Sequence, residues 1–246
     1  MKNLLTKVLR VVGLEVRRVP RSRLFSTSVS SSERSTVNQT LRRFAETQPP
    51  ESSLSNFKQL RAYLSDYRIS FFHELLDITN NLDIALTNRK IADVGCGTGY
   101  LLHLIEKISS SSGLTGFDTS IATNELARMF CPSGTILDSP LEAVEEKFDV
   151  IFCTEVLEHM TNPTAALTSM LQCLSETGVL ILTVPDGRQD QQSPGQMRED
   201  GSAYWGHVNF WSPESWPQFL QQSVDGHSNI HTCTLSSGEN FAAIWR

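Results

Sequence analysis

No stretch of this chain stays apolar for the roughly 18 residues that a bilayer-spanning helix requires, which argues against an integral membrane protein. Paired cysteines are missing too. The five present, Cys96, Cys131, Cys153, Cys173 and Cys233, include no CxxC, so the pattern reads as reduced thiols in a cytosol-like compartment rather than a disulfide framework. Metal-ligand spacing is almost absent: His227, His231 and Cys233 fall close together, but a fourth ligand is not evident, and we expect an ordinary surface strand there and no metal. Positive charge is scarce outside the N-terminus. Residues 1–43 hold ten Lys+Arg against two Glu, a balance of +8, whereas residues 44–246 hold eleven against twenty-five, a balance of −14. A folded body this acidic is a poor match for phosphate backbones, so no nucleic-acid partner is expected.

What is present is an ordinary globular composition, 39% hydrophobic and 20% charged over 246 residues, enough for one sizeable α/β domain with additions or at most two small ones. The chain is organised around Lys90-Ile91-Ala92-Asp93-Val94-Gly95-Cys96-Gly97-Thr98-Gly99-Tyr100. Ile91 and Val94 suit a short buried strand, and Leu101, Leu102, Leu104, Ile105 and Ile108 recur at helical spacing. The glycines therefore sit in a strand-to-helix turn, where backbone can bend sharply and approach a ligand, and where a helix N-terminus attracts anionic groups. A dinucleotide fold asks for G-x-G-x-x-G; here the spacing is G-x-G-x-G preceded by an acid.

That motif resembles the first motif of the class I S-adenosylmethionine-dependent methyltransferases, and the resemblance continues for more than half the chain. It implies a doubly wound, seven-stranded, mostly parallel α/β sheet of the Rossmann-like kind with an N-terminal helical extension, and S-adenosylmethionine as cofactor. Gly113 to Phe117 reads as the second strand, ending at Asp118, 25 positions after Asp93. A carboxylate there can accept the ribose hydroxyls, the competing role being helix capping, which Thr119 or Ser120 could fill instead. A third strand, Gly134 to Leu137, ends in Asp138-Ser139, and a helix is expected from there to Glu146. In the family, an acid at this place meets the adenine amino group. Phe148 to Cys153 reads as the fourth strand, and the Thr154-Glu155-Val156-Leu157-Glu158-His159 that follows is similar to small-molecule methyltransferases, the quinone-biosynthesis O-methyltransferases among them. In those enzymes this segment faces the sulfonium and the acceptor. It departs from the [DN]-P-P-[FYW] motif of amino-directed DNA methyltransferases, which also disfavours a nucleic-acid acceptor.

The resemblance thus assigns Asp93, Gly95, Cys96, Gly97, Gly99, Asp118, Thr119, Asp138, Ser139, Thr154 and Glu155 to the cofactor. Farther on, a helix from Pro163 to Leu174 leads to an apolar strand, Gly178 to Pro185, then a polar stretch from Asp186 to Gly206. His207-Val208-Asn209-Phe210-Trp211-Ser212-Pro213-Glu214 resembles the H-x-x-F-[WY]-[ST]-P-E segment of the same family. Ser212 with Pro213 signals a helix start, and Ser228 to Leu235 with Asn240 to Trp245 reads as a closing hairpin. His159 and His207 are the candidate bases for an acceptor hydroxyl, since imidazole titrates near neutrality. Tyr204, Trp205, Phe210 and Trp211 are the candidate acceptor contacts, with Trp216 more suited to packing.

Ahead of the core, residues 1–25 form a basic amphipathic arm, with Leu4, Leu5, Val8, Leu9 and Val12 on one helical face. It reads as a packed arm, as an interfacial helix giving peripheral membrane contact through residues 1–19, or as a mitochondrial presequence. Residues 26–56, rich in Ser, Thr, Gln and Pro, read as a linker, and residues 57–86 as a helical cap offering Tyr63, Tyr67 and Arg68 to the cofactor. The methyltransferase domain is placed at 87–246. The expected activity is methyl transfer to a small-molecule acceptor, a hydroxyl of a sugar, polysaccharide precursor or secondary metabolite, in the cytoplasm, or in the mitochondrion if the arm is a presequence. A catalytically silent cofactor-binding partner and a nicotinamide-dependent oxidoreductase are the alternatives.

Overall fold

The computed structural model describes residues 29–48, 60–110, 113–188, 206–224 and 229–246. The arm at 1–25 lies outside them, as do Tyr204 and Trp205. Seven strands form one mixed sheet in the order β3-β2-β1-β4-β5-β7-β6, numbered along the chain as given below. The chain divides into two compact units, one from 20 to 143 and one holding 144–246.

The first unit begins with helix α1, Ser31–Thr47, inside the stretch whose composition reads as a linker. Ser30 caps the helix by accepting from the Glu33 N–H at 3.2 Å, and Val37, Leu41 and Phe44 line a buried stripe on an otherwise polar helix. The expected helix over 57–86 is a helical turn at 60–63 followed by α2, Asp66–Asn81, capped by Ser65. Strand β1, Lys90–Val94, is followed by α3, Tyr100–Ile108. Strand β2, Gly113–Phe117, pairs in parallel with β1 from Lys90↔Gly113 to Val94↔Phe117. Helix α4, Ile121–Phe130, leads to β3, Thr135–Leu137, parallel to β2. The core of this unit is apolar from Ile91 and Ala92 through Leu101, Leu102, Ile105, Leu126 and Phe130, all nearly inaccessible. Beyond Asp138 the expected helix is only a 3-10 turn, Leu141–Ala143.

The second unit opens with β4, Phe148–Thr154, continues through a 3-10 turn, Leu157–His159, and helix α5, Pro163–Gln172, which has Pro at its first position and Asn162 as cap. Strand β5, Leu174–Val184, starts four residues before the apolar run signals it and pairs in parallel with β4, with a register shift between Phe148 and Val150. Helix α6, Ser215–Ser223, starts behind Ser212, whose hydroxyl accepts from the N–H groups of Glu214 and Ser215 at 3.2 Å each. Strands β6, Asn229–Thr234, and β7, Asn240–Trp245, form the antiparallel hairpin, and β7 pairs with β5. His231 and Cys233 belong to strand β6, the ordinary-strand reading of that segment. No helix among the described residues is long and apolar enough to cross a membrane.

Candidate active site

In the first unit the glycine turn is built by backbone that only glycine adopts at ease: φ is +73° at Gly95, +49° at Gly97 and +72° at Gly99. The turn is pinned to the end of β2, because the N–H groups of Gly95 and Cys96 both donate to the Phe117 carbonyl, at 2.7 and 3.1 Å. A Cβ on Gly99 would meet the Ala127 Cβ at 2.7 Å, so this glycine lets α3 and α4 approach. A Cβ on Gly97 would meet nothing within 4 Å. Gly97 therefore faces space that a ligand can use.

Asp118 follows β2 directly and is half-buried. Its Oδ2 accepts from the Gly97 N–H at 2.9 Å and its Oδ1 from the Ser120 N–H at 2.8 Å. Neither Thr119 nor Ser120 relieves Asp118 at the helix start: the Ser120 side chain makes no capping bond, and Asp118 accepts from the Ser120 N–H. Each oxygen keeps a second lone pair for a diol. Thr119 is exposed and Ser139 half-buried. Asp93 is 2% accessible, and its Oδ1 has no hydrogen-bond partner among the described residues. Burial, then the nearby Asp118 carboxylate, pushes its carboxyl well above the usual range. Burial likewise pushes the Cys96 thiol up, which suits a packing group rather than a nucleophile.

These residues fit S-adenosylmethionine. An orphaned buried acid beside the turn suits a cationic ligand, open space over Gly97 suits close approach, and Asp118 and Asp138 offer acceptors to hydroxyls and an amine.

Two groups in this unit escaped sequence reasoning. Glu33 Oε1 accepts from the Tyr100 hydroxyl at 2.8 Å and lies 2.7 Å from His73 Nε2, tying α1 to α2 and to the first residue of α3. The Ser30-x-x-Glu33 pattern at a helix start was its available signal. Asn124 is the other, buried within α4 and bonded to both cofactor acids' segments. Tyr63 and Tyr67 are exposed, and the Arg68 guanidinium lies 5.2 Å from the Phe71 ring centroid, a packing contact within its own helix.

The second unit gathers the proton-accepting candidates. The His159 and His207 rings meet edge to face, with centroids 4.6 Å apart and planes at 76°. The Glu158 carboxylate is almost wholly buried, with Oε1 3.9 Å from His159 Nε2. Two backbone bonds explain why these distant segments meet: Val208 and Asn209 donate their N–H groups to the Glu158 carbonyl at 2.8 and 3.1 Å. The Asn209 carboxamide adds bonds to the carbonyls of Leu157 and Met160, at 3.1 and 2.6 Å. One ligand atom from each of Glu158, His159 and His207 lies within 4.8 Å of the others, a set that can hold a metal ion. Spacing along the chain gave no sign of it, because His207 comes from a different segment.

Glu155 adopts φ +56°, uncommon for a side chain of its size, and its carboxylate accepts from the Thr183 hydroxyl at 3.2 Å. Thr154 is buried at the end of β4. Phe210 is exposed and available. Trp211 is corrected from acceptor contact to packing: it is buried, with its ring 4.8 Å from Phe219 and 5.4 Å from Trp216, because α6 folds its apolar face back onto it. Trp216 is core, donating its ring N–H to the Phe241 carbonyl at 3.3 Å.

A family model for a methyltransferase domain matches residues 39–223. The chain is 36% identical over 110 residues to a ubiquinone biosynthesis O-methyltransferase of Histophilus somni, which covers 40% of this chain and 45% of that protein. It is 32% identical over 125 residues to a tRNA U34 carboxymethyltransferase of Sulfurimonas denitrificans, covering 48% of this chain and 40% of that one. The chain thus spans about half the length of these curated relatives. Among solved structures, magnesium protoporphyrin IX methyltransferase of Synechocystis PCC 6803, with SAH bound, superposes with a TM-score of 0.54 at 17% identity, over 86% of this chain and 95% of that one. A methyltransferase of Mesorhizobium loti gives 0.53 at 14% identity, over 70% and 98%. At such identities these two likenesses concern the fold.

Proposed function

The chain belongs to the class I S-adenosylmethionine-dependent methyltransferases, and we propose that it transfers the methyl group to a hydroxyl of a small molecule. Membership removes the nicotinamide alternative. The observation that carries the hydroxyl reading is the contact of His159 with His207 beside buried Glu158. When bound, S-adenosylmethionine supplies a methyl group activated by a sulfonium. The protein's part is alignment, exclusion of water and removal of the acceptor's proton. An imidazole with a carboxylate alongside can take that proton and have its positive charge stabilised. Gly95, Gly97 and Asp118, with Asp93, Cys96, Gly99, Thr119, Asp138 and Ser139 around them, form the cofactor-binding part of this reading, and the family resemblance adds Thr154 and Glu155 to the set.

A small acceptor is favoured over tRNA by the −14 balance of residues 44–246, which repels a phosphate backbone. Methyl transfer from labelled cofactor to a panel of phenols, sugars and unmodified tRNA tests this. Transfer to tRNA alone would overturn the acceptor class, and no transfer to any would favour the silent partner.

The same three side chains support a second reading, in which Glu158, His159 and His207 would hold a divalent cation, whose Lewis acidity would ease loss of the acceptor's proton. Chelator treatment separates the two: activity lost and restored by added Mg²⁺, Mn²⁺ or Zn²⁺ favours the cation, activity unchanged favours the imidazole base. The domain limits, the cytoplasmic location and the membrane contact of the arm are further parts of the proposal. Comparing the full chain with one lacking residues 1–28 on anionic vesicles at low and high salt tests the last.

A further inference from the structure

Asn124 lies in α4, outside every motif that the sequence displays, and its side chain is inaccessible. Its Nδ2 donates to the Asp118 carbonyl at 2.8 Å and to Asp138 Oδ1 at 2.6 Å. Its Oδ1 lies 4.0 Å from the Cys96 Sγ, within reach of the thiol proton. This orientation of the carboxamide is the only workable one. Turned over, its oxygen would face a carbonyl and a carboxylate with no proton between them. One buried amide therefore links the end of β2, the start of the loop after β3 and the glycine turn.

Arg128, one turn further along α4, donates to the same Asp138 Oδ1 at 2.9 Å and to the Ile136 carbonyl at 2.9 Å. Its bond, then that of Asn124, holds the Asp138 carboxyl below the usual carboxylate range. Both bonds fall on Oδ1, and Oδ2 takes neither. Asp138 is thus a carboxylate fixed by one oxygen, with the other left to an outside donor.

We infer that Asn124, seconded by Arg128, is a specificity-determining positioning residue, holding Asp138 as a fixed acceptor that favours a purine carrying a 6-amino group over one carrying a 6-oxo group. The inference rests on the proposed meeting of Asp138 with the adenine of the cofactor. A 6-amino group donates to the carboxylate, whereas a 6-oxo group sets one acceptor against another. Only a carboxylate held in place enforces that difference, since one free to rotate could turn aside. The Asp138 side chain is 47% accessible, so the discrimination comes into force where the adenine itself covers it, and there a 6-oxo group would leave the carboxylate facing another acceptor.

The test uses the full chain and two probes, S-adenosylhomocysteine and S-inosylhomocysteine, with affinities from isothermal titration. The wild type should favour the adenosyl probe by about tenfold or more. In Asn124→Ala and in Arg128→Gln the ratio should narrow to within about threefold, mainly through weaker adenosyl binding, with the circular dichroism spectrum unchanged. Arg128 is exposed, so Arg128→Gln keeps the test valid if Asn124→Ala does not fold. Asp138→Asn is the control for the underlying reading, because its amide offers a donor to a 6-oxo group and should reduce or invert the preference. A narrowed ratio in either positioning variant supports the inference. A ratio like that of the wild type in both, with Asp138→Asn inverted, overturns the role of Asn124 and leaves Asp138 as the adenine contact. No preference in the wild type and no effect of Asp138→Asn overturns both.

Discussion

Replacing Asp118 with Ala separates two jobs that one side chain performs. In the ligand-free protein its carboxylate accepts the Gly97 N–H at 2.9 Å and the Ser120 N–H at 2.8 Å. Charge-assisted bonds of this kind contribute about 1.5–3 kcal/mol when dry, and water reaches a half-buried carboxylate, so roughly 1 kcal/mol apiece is the better figure. Asp118→Ala should therefore lower the unfolding free energy by about 2 kcal/mol. Binding suffers separately. Loss of the acceptor for ribose hydroxyls removes about 1.5–3 kcal/mol more, or at least tenfold in affinity for S-adenosylhomocysteine. Asp118→Asn is the sharper variant: one amide cannot accept from both N–H groups, so its Nδ2 opposes one donor, and its affinity should fall although its volume is kept. Urea unfolding gives the first quantity and isothermal titration the second. Lost stability with unchanged affinity in both variants would falsify the ribose assignment and leave Asp118 as a staple of the turn.

Asp93→Asn should stabilise the ligand-free protein at neutral pH while weakening cofactor binding, because it removes a buried carboxyl whose burial and whose neighbour Asp118 oppose ionisation. With the folded pKa above the unfolded one, the wild type loses stability as pH rises from about 4 through the folded value, so urea melts across that window should slope downward in the wild type and stay flat in the variant. Glu33 has the opposite sign: burial opposes its ionisation, but the bonds from His73 and Tyr100 outweigh it and hold its carboxyl low. Its contribution is present above the usual carboxylate range and lost as pH falls below it, and Glu33→Gln or Tyr100→Phe should each cost about 1–2 kcal/mol in urea melts at pH 7. Gly99→Ala and Gly97→Ala should part company: the first adds a clash with Ala127 to a positive φ and should cost about 2–4 kcal/mol of stability, whereas the second adds only about 1–2 kcal/mol of backbone strain yet should abolish cofactor binding. Equal stability losses in the two glycine variants would contradict the packing account of Gly99.

The fold was legible where one periodicity ruled. Apolar Ile91 and Val94 before alternate glycines, and helical spacing after them, left one solution, and the segments read as a closing hairpin are β6 and β7. Composition misled at α1, where Ser, Thr, Gln and Arg outnumber the apolar residues. Its helix depends on three inward side chains and a cap, signals that a compositional reading averages away. The helix expected after Asp138 failed for a related reason: Pro140 and the acidic run through Glu146 offer Leu141 as the single buried residue of the 3-10 turn, too little apolar surface to support more turns.

Within the candidate site, legibility followed backbone constraint. Glycine at positive φ leaves a trace in the sequence because few other residues tolerate it, and an acid at a strand end leaves one because its partner is the adjacent turn. Asn124 leaves none, Glu33 leaves only its capping-box spacing from Ser30, and His159 and His207 show as separate segments without their meeting at Glu158, since those meanings come from partners far along the chain. His207 shows why. Its place beside His159 is set by backbone bonds from Val208 and Asn209 to the Glu158 carbonyl, and a backbone donor has no identity in the sequence. Asn209 is the exception, because its carboxamide alone can give both protons to the carbonyls of Leu157 and Met160. Asn209→Asp, which has no such protons, should release the 206–211 segment and lower kcat for methyl transfer by tenfold or more, on the order of 1.4 kcal/mol, with cofactor affinity unchanged. A variant retaining full kcat would mean that the two backbone bonds suffice to hold His207, and that the carboxamide of Asn209 serves only to satisfy the 3-10 turn.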